Sequence, residues 1–453
     1  MSGMRFKALI FSSALPALAG CGGDKLEIQV SSENGHVYGS DPYTVWVEGG
    51  NTDTVTISAQ YITSKAYTHN NLSIESDLSF SGSETAMTRE SFYSLDTRED
   101  MNAAEVLKVT ANGIIESKDY SKSASVTIRP ALKYAKTYRD NEPHREQNIA
   151  YALPDGRSEA PLKPAIIFIH GGGWSALDFT AFKDEMLDAA ENDYAAFSVN
   201  YRLVGDGDKS THTWPAPLDD VRCAIQWIFD NSSDLRVDTD NVGLVGYSAG
   251  AHLALLAGMT RANETNTANY QSNTDSICRS SNINYQIKAV SAISAPTSLP
   301  YVIAVKGPER DARDKVTALM DMTTDDVKFI DNADHTGDDW IERLRSENAS
   351  NEARLGILNE LLAASPLTYV NNSDIPVLLQ HGTSDDLIFV RNSKDFACQS
   401  GNTTLKLFEG ISHEWGSFNG NTKQTRRQNN YLFFGRHLKG ENTEIESDIV
   451  DCS

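Results

Sequence analysis

Between residues 242 and 257 the chain passes from Val242-Gly243-Leu244-Val245-Gly246 to a run of Ala251, Leu253, Ala254 and Leu256 across the single turn Tyr247-Ser248-Ala249-Gly250. The first run is short and uniformly apolar, as in a strand covered on both faces, and the second has the spacing of a buried helix. A doubly covered strand that turns at once into a helix is half of a βαβ unit, so this part of the chain must build a mainly parallel sheet between layers of helix. The same texture recurs. Lys163 to His170 and Ala195 to Leu203 read as continuous apolar strands, and Ile287 to Ile293, Ile375 to Gln380 and Thr404 to Phe408 read as further ones. Leu218, Val221, Ile225 and Ile228 repeat at helical spacing after Pro215 and Pro217, and a last helix is predicted over Lys423 to Leu438. Pro300 to Ala364 fits none of these units. It is charged, predicted helical near its end at Glu352 to Leu362, and reads as an insertion over the sheet, about 300–364.

Before Pro130 the pattern is different. Leu26/Ile28/Val30, Tyr43/Val45/Val47, Val55/Ile57/Ala59/Tyr61, Leu107/Val109/Ala111 and Val126/Ile128 alternate with polar residues and are separated by clusters such as Glu48-Gly49-Gly50-Asn51. That is the period of half-buried strands and points to a small, all-β, immunoglobulin-like sandwich over 21–130 without a core disulfide. The α/β domain then occupies 131–440, and 441–453 is a tail. The sandwich is either a glycan-binding module or a spacer; with Trp46 as its only indole and no aromatic platform, the spacer is favoured.

The partners are narrowed by charge. With 62 acidic against 40 basic residues and a formal charge of -22, the chain has no bulk basic face for nucleic acid or an anionic membrane surface. Arg5 and Lys7 precede the apolar stretch Ala8 to Leu18, which has the form of a signal peptide over 1–20. It ends in Leu18-Ala19-Gly20-Cys21, which resembles the bacterial lipobox and implies acylation of Cys21; Gly22 in the next position resembles outer-membrane more than inner-membrane lipoproteins. The expected location is therefore an outer-membrane lipoprotein facing the periplasm or cell surface, touching the membrane only through its N-terminal lipid. Cys223, Cys278, Cys398 and Cys452 remain, with three possible pairings in an oxidising compartment. Cys223, inside a helical pattern, reads as a buried free thiol. No Cys or His cluster suggests a metal, and none is expected.

Gly246-Tyr247-Ser248-Ala249-Gly250 fits G-x-S-x-G, in which glycines permit a sharp strand-to-helix turn and the serine hydroxyl stands at the carboxyl edge of the sheet near a helix N-terminus. Upstream, His170-Gly171-Gly172-Gly173-Trp174 follows another strand and reads as a loop whose backbone N–H groups form an oxyanion hole, with His170 ordering the loop. A serine nucleophile needs a base, and the base an orienting acid. Two later strand ends supply them: His381-Gly382-Thr383-Ser384-Asp385-Asp386 and Ser412-His413-Glu414-Trp415, giving the order serine, aspartate, histidine. Arg202 and Asp220 are charges in apolar surroundings and read as a pair that braces the loops beneath the oxyanion hole. His252 reads as a packed helix residue.

Residues from about Tyr138 to Lys439 resemble the α/β-hydrolase esterases related to hormone-sensitive lipase and, more closely, bacterial feruloyl-esterase-like and kynurenine-formamidase-like carboxylesterases. The resemblance is carried by His170 to Trp174, Asn200-Tyr201-Arg202-Leu203, Pro215 through Ala224 with Asp220, Gly246 to Leu253, Ser365-Pro366-Leu367, His381 to Asp385 and Ser412-His413. It implies an α/β-hydrolase fold, a mostly parallel sheet with helices on both faces, and Gly172, Gly173 and Ala249 as oxyanion donors. It also places the acid four residues after the histidine of His381-Gly382, at Asp385, leaving Asp386 as a solvated neighbour. The elbow departs from the hormone-sensitive-lipase pattern at Tyr247, usually Asp, and at Ala251, often Gly.

The resulting expectation is a serine carboxylic ester hydrolase acting on small-molecule or carbohydrate esters outside the cytoplasm, with Ser248, His413 and Asp385 as its triad and no cofactor. The polar insertion, with Lys306, Glu309, Arg310, Asp311, Arg313 and Asp314, suits soluble or sugar-linked esters better than a lipid interface. Two alternatives stand beside it: amide chemistry, as in formamidase-like or prolyl-peptidase-like hydrolases, and a catalytically inert hydrolase fold used for adhesion or binding.

Overall fold

The computed structural model describes residues 147–154, 161–205, 212–260, 283–305, 311–337 and 339–448 with their side chains, as well as 450 and 452. Between 25 and 146 it describes strand backbones and the side chains of Trp46, Arg129, Ala131 and Leu132. The signal peptide, Cys21, Cys278, Lys306, Glu309 and Arg310 lie outside the described residues. The chain divides into two compact units, Met1–Leu132 and Lys133–Ser453.

The first unit is built of strands. β1 (Lys25–Ser32), β4 (Asp53–Ile62), β7 (Arg89–Leu95) and β6 (Ser81–Glu84) form one antiparallel sheet in that order. In the other, β5 (Tyr67–Glu75) pairs with β8 (Glu105–Ile115), β8 with β9 (Lys118–Arg139), β9 with β3 (Thr44–Glu48) in parallel, and β3 with β2 (Val37–Tyr38). The alternating runs at Leu26, Val55, Leu107 and Val126 fall within these strands, as do Val45 and Val47 of the run whose first residue, Tyr43, lies outside the described residues. Trp46 is completely buried on β3 and belongs to the core, so its indole offers no stacking surface.

In the second unit the spatial order is β10 (Glu142–Ala152), β12 (Ala195–Val199), β11 (Lys163–Ile169), β13 (Val237–Tyr247), β14 (Ala289–Ile293), β15 (Val377–Gly382) and β16 (Thr403–Phe408). β10 is antiparallel to β12, and the remaining pairs are parallel. Every residue of β12, β14 and β15 is buried, as continuous apolar runs in a covered sheet require. Helices lie on both faces. Adjacent strand residues point to opposite sides, and a Cβ on Gly243 would meet Phe434 of α10 (Gly420–Lys439), whereas the Leu244 side chain lies beneath Gly258 of α3 (Ala249–Met259). The α10 face also holds α1 (Lys183–Glu191), through the buried pair Arg426 Nη2–Glu185 Oε1 at 2.9 Å. α2 (Ala216–Asp230) packs beside α3, and α9 (Arg391–Gln399) connects β15 to β16. A mainly parallel sheet with this connectivity and a strand-to-helix elbow after β13 is the α/β-hydrolase fold.

Several boundaries differ from the sequence reading. The strand expected to continue to Leu203 stops at Val199. Asn200 N still donates to Asn148 O of β10 at 3.0 Å, but beyond it the backbone leaves the ladder, Arg202 N turning to the Asp220 carboxylate at 2.7 Å, while the Tyr201 hydroxyl lies 2.9 Å from both His170 O and Gly171 O. The insertion is helical over most of its described length, not only at its end: α4 (Leu299–Ala304), α5 (Asp311–Leu319), α6 (Lys328–Asp331), α7 (Trp340–Glu347) and α8 (Glu352–Ala363). Its charged residues mask a helical spacing, for Val316 and Leu319 of α5 and Leu358 and Leu361 of α8 are the buried positions three apart. Cys398 bonds to Cys452 and ties the tail to α9. Cys223 is also disulfide-bonded, which corrects its reading as a free thiol. An apolar helical setting shows that a cysteine is buried, and it does not distinguish a thiol from half of a bridge.

Candidate active site

Ser248 sits between β13 and α3 with φ 54° and ψ −121°, a conformation that non-glycine residues rarely adopt. The flanking glycines make it possible. A Cβ on Gly246 would come within 2.3 Å of Gly250 O, and one on Gly250 within 2.0 Å of Ile169 O and 2.3 Å of His170 O. The elbow therefore packs backbone to backbone against the end of β11, next to the His170 loop. Ser248 N donates to Ile293 O at 2.8 Å, which fixes the turn to β14.

The three residues picked out as a triad converge from the ends of β13, β15 and β16. Ser248 Oγ lies 2.9 Å from His413 Nε2, and His413 Nδ1 lies 2.8 Å from Asp385 Oδ2. An ionised carboxylate only accepts, so Nδ1 carries the imidazole proton and Nε2 is left to accept from the serine hydroxyl. Asp385 Oδ1 takes the backbone N–H groups of Ile388, at 2.8 Å, and Leu387, at 3.2 Å. Burial pushes the Asp385 carboxyl up, but hydrogen bonds from His381 and His413 outweigh it and hold the group well below the usual carboxylate range. Asp386, its neighbour, is exposed.

His381 has a part in this that the sequence did not assign. Its Nε2 is 2.6 Å from Ile388 O and 3.2 Å from Asp385 Oδ2, so it donates into the acid loop while Nδ1 meets Ser393 Oγ at 2.7 Å. The four-residue spacing between His381 and Asp385 was the available signal.

On the other side, Gly172 and Gly173 adopt φ values of 93° and 57°. Their N–H groups make no backbone hydrogen bond among the described residues, and Ala249 is the first residue of α3, whose N–H likewise has no partner within the helix. The loop is braced from beneath. His170 stacks on Tyr201 with centroids 4.2 Å apart, and Val204 N donates to Trp174 O at 2.8 Å. Arg202 grips Asp220 with Nε–Oδ2 and Nη2–Oδ1 contacts of 2.8 Å each, and Arg202 N adds a third at 2.7 Å. His252 is fully buried, its Nε2 2.7 Å from Ala364 O, and burial lowers its pKa to about 4, so it is neutral and packed.

Two neighbours were not legible in the sequence. Lys315 of α5 lies over the oxyanion loop: a Cβ on Gly173 would be 2.9 Å from Lys315 Cδ, and Lys315 Nζ reaches Ser175 Oγ at 2.9 Å. Tyr247 donates its hydroxyl to His413 O. Among the described residues, no group of three or more His, Cys, Asp or Glu side chains could hold a metal ion.

A strained serine at an elbow, a histidine and a buried carboxylate thus meet in one hydrogen-bonded line on an α/β-hydrolase fold, beside a loop in which the Gly172 and Gly173 N–H groups make no backbone hydrogen bond among the described residues. Residues 151–337, which include the oxyanion loop and the elbow, match the profile of the BD-FAE family, a feruloyl-esterase-like domain. The chain is 26% identical over 246 residues to esterase LipC of Mycobacterium tuberculosis, a match covering 53% of this chain and 49% of that protein. It is 40% identical over 106 residues to kynurenine formamidase avaC of Aspergillus versicolor, covering 21% of this chain and 35% of that protein. The chain thus spans at most about half the length of these relatives. Among solved structures, an esterase from Thermogutta terrifontis aligns with a TM-score of 0.47 at 23% identity, covering 69% of this chain and 94% of that one.

Proposed function

We propose that this chain is a serine carboxylic ester hydrolase. The observation that carries the reading is the hydrogen-bonded line from Ser248 Oγ through His413 to Asp385, beside a glycine loop in which Gly172 and Gly173 make no backbone N–H hydrogen bond among the described residues. His413 Nε2 takes the Ser248 proton as Oγ attacks the ester carbonyl. The oxyanion that forms is held by the N–H groups of Gly172, Gly173 and Ala249, and Asp385 stabilises the imidazolium. His413 then protonates the departing alcohol. Water, deprotonated by the same imidazole, releases the acid from the acyl-Ser248 intermediate. A fluorophosphonate probe should label intact protein but not Ser248→Ala, and that variant should lose turnover while keeping its fold. Retention of a tenth of the activity would remove Ser248 as nucleophile.

For substrate we favour small or sugar-linked esters. Lys315 places an ammonium on the oxyanion loop, and a charge there disfavours long acyl chains. Faster turnover of palmitoyl than of acetyl, feruloyl or acetyl-xylan esters would count against this. The stretch of 40% identity to a kynurenine formamidase favours amide hydrolysis as a second reading, and a higher kcat/KM on N-formyl amides than on matched esters would select it.

The location we propose is that of an outer-membrane lipoprotein acylated at Cys21. The Cys398–Cys452 bridge and the disulfide at Cys223 support an oxidising compartment. Membrane association that survives Cys21→Ser, with no acyl mass on the N-terminus, would defeat the anchor.

A further inference from the structure

Of the three residues in the relay, His413 has the weakest scaffold. Ser248 and Asp385 are 7% and 4% exposed and follow the ends of β13 and β15 by one and three residues, while His413 is half-buried five residues past the end of β16, in the segment before the turn Trp415–Ser417. That segment is tied at its flanks: Ser384 N donates to Ile411 O at 3.0 Å, and Ser417 Oγ to Ser412 O at 3.0 Å. Among the described residues, the hydrogen bond to the main chain at His413 itself comes from Tyr247, whose hydroxyl donates to the His413 carbonyl. The Tyr247 ring also stacks on the imidazole, with centroids 5.5 Å apart and 28° between planes, and meets Trp415 edge-on at 4.7 Å. Trp415 is in turn covered by the Arg426 guanidinium, 4.1 Å from its ring centroid.

We propose that Tyr247 is a positioning residue that sets His413 against the nucleophile, an inference that rests on the reading of Ser248 as nucleophile and His413 as base. The chemistry of the contact suits the task. A phenol donates one strong hydrogen bond to a carbonyl, and its flat face limits rotation of the neighbouring ring. Burial, with smaller contributions from Asp385 and Glu414, raises the Tyr247 pKa well above its ordinary value, so the donor keeps its proton wherever the triad works. The covalent arrangement adds precision. Tyr247 precedes Ser248 directly, so the residue that holds the base and the residue that the base activates share one turn, and a displacement of the elbow carries both. The ring is itself confined by the oxyanion loop, since a Cβ on Gly171 would lie 3.0 Å from Tyr247 Cδ1. Proton transfer between Ser248 and His413 depends steeply on such alignment, and a misplacement of about 1 Å can cost on the order of 100-fold in rate.

The test is Tyr247→Phe, which keeps the ring and removes the tether. On a short soluble ester the variant should lose about tenfold in kcat with KM within twofold of wild type, and the rate constant for fluorophosphonate labelling of Ser248 should fall by the same factor. Rates within twofold of wild type would overturn the proposal, as would a loss that only tracks the folded fraction in matched thermal melts. Proton NMR supplies a readout independent of turnover: the downfield imidazole N–H resonance of His413 should be sharp in wild type and broadened in the variant, and equal sharpness would overturn the proposal. If wild type neither hydrolyses an ester nor takes the probe, the catalytic reading fails, and the resonance still decides whether Tyr247 holds the ring. Tyr247→Leu, expected to lose more than Tyr247→Phe on every measure, serves if the first variant folds poorly.

Discussion

The oxyanion loop and the acid loop begin alike. Each comes at the end of an apolar strand of the parallel sheet and opens on a His-Gly pair, His170-Gly171 just after β11 and His381-Gly382 as the last two residues of β15. In both, the absence of a side chain lets another backbone come close: a Cβ on Gly171 would lie 2.9 Å from Tyr247 O, and one on Gly382 would lie 2.1 Å from Ile411 O. They differ in what they present to the site. The acid loop offers a side chain, Asp385, held by backbone N–H groups and two histidines. The oxyanion loop offers its own backbone, held in place by side chains from elsewhere: Tyr201, whose neighbour Arg202 is fixed by Asp220, and His252, whose ring meets Trp174 edge-on at 5.2 Å. A substitution can therefore delete the chemistry of the acid loop directly. The oxyanion loop has no functional side chain to delete, so its chemistry is reached through its braces or through the fit of its glycines.

The largest effect expected from this difference is at the acid. Asp385→Asn should lower kcat by roughly three to four orders of magnitude, since the amide favours the wrong imidazole tautomer, while the exposed Asp386→Asn should change it by less than about tenfold. Steady-state kinetics on variants with matched melts would check this, and the reverse ranking would move the acid to Asp386.

At the oxyanion loop the expected loss is in stability. Asp220→Asn leaves the Arg202 guanidinium buried without its carboxylate, which costs about 3–5 kcal/mol. Chemical denaturation should show that loss, with kcat of the folded fraction close to wild type. A stable Asp220→Asn protein with greatly reduced kcat would erase the distinction between the two loops.

The smallest effect separates them by pH. His252, beneath the oxyanion loop, has a folded pKa lowered to about 4, against about 6.5 when unfolded, so the unfolded chain binds the extra proton first. Stability from this group is complete above about pH 6.5 and falls as the pH drops toward 4, by up to about 3 kcal/mol. The Asp385 carboxyl is also depressed, but from an unfolded value near 4, so its contribution is lost only below about pH 4. Melts from pH 7 to 4 should show a slope that His252→Gln reduces and Asp385→Asn leaves in place.

How much of this was legible depends on the range of the interaction responsible. Gly246 answers to a clash with Gly250 four residues on, and the continuous apolar strands answer to burial on both faces, so both leave local marks, whereas Gly250 answers to the distant carbonyls of Ile169 and His170. Arg202 and Asp220, 18 residues apart, were recognisable because a charge in apolar sequence needs a partner. The helices of the insertion were harder, because charges on their outer faces dilute the periodic signal.

The sequence by itself determined the parallel sheet, the turn that exposes Ser248, the glycine loop and the order serine, aspartate, histidine, all written in short-range steric and hydrophobic patterns. Only the tertiary structure decided that Cys398 meets Cys452, that Lys315 covers Gly173, that His381 supports Asp385 and that Tyr247 holds His413 from 166 residues away. Those contacts are set by which strand ends the sheet brings side by side. Lysine, tyrosine and cysteine carry no mark of a distant partner, because the same residue types satisfy their local surroundings equally well without one.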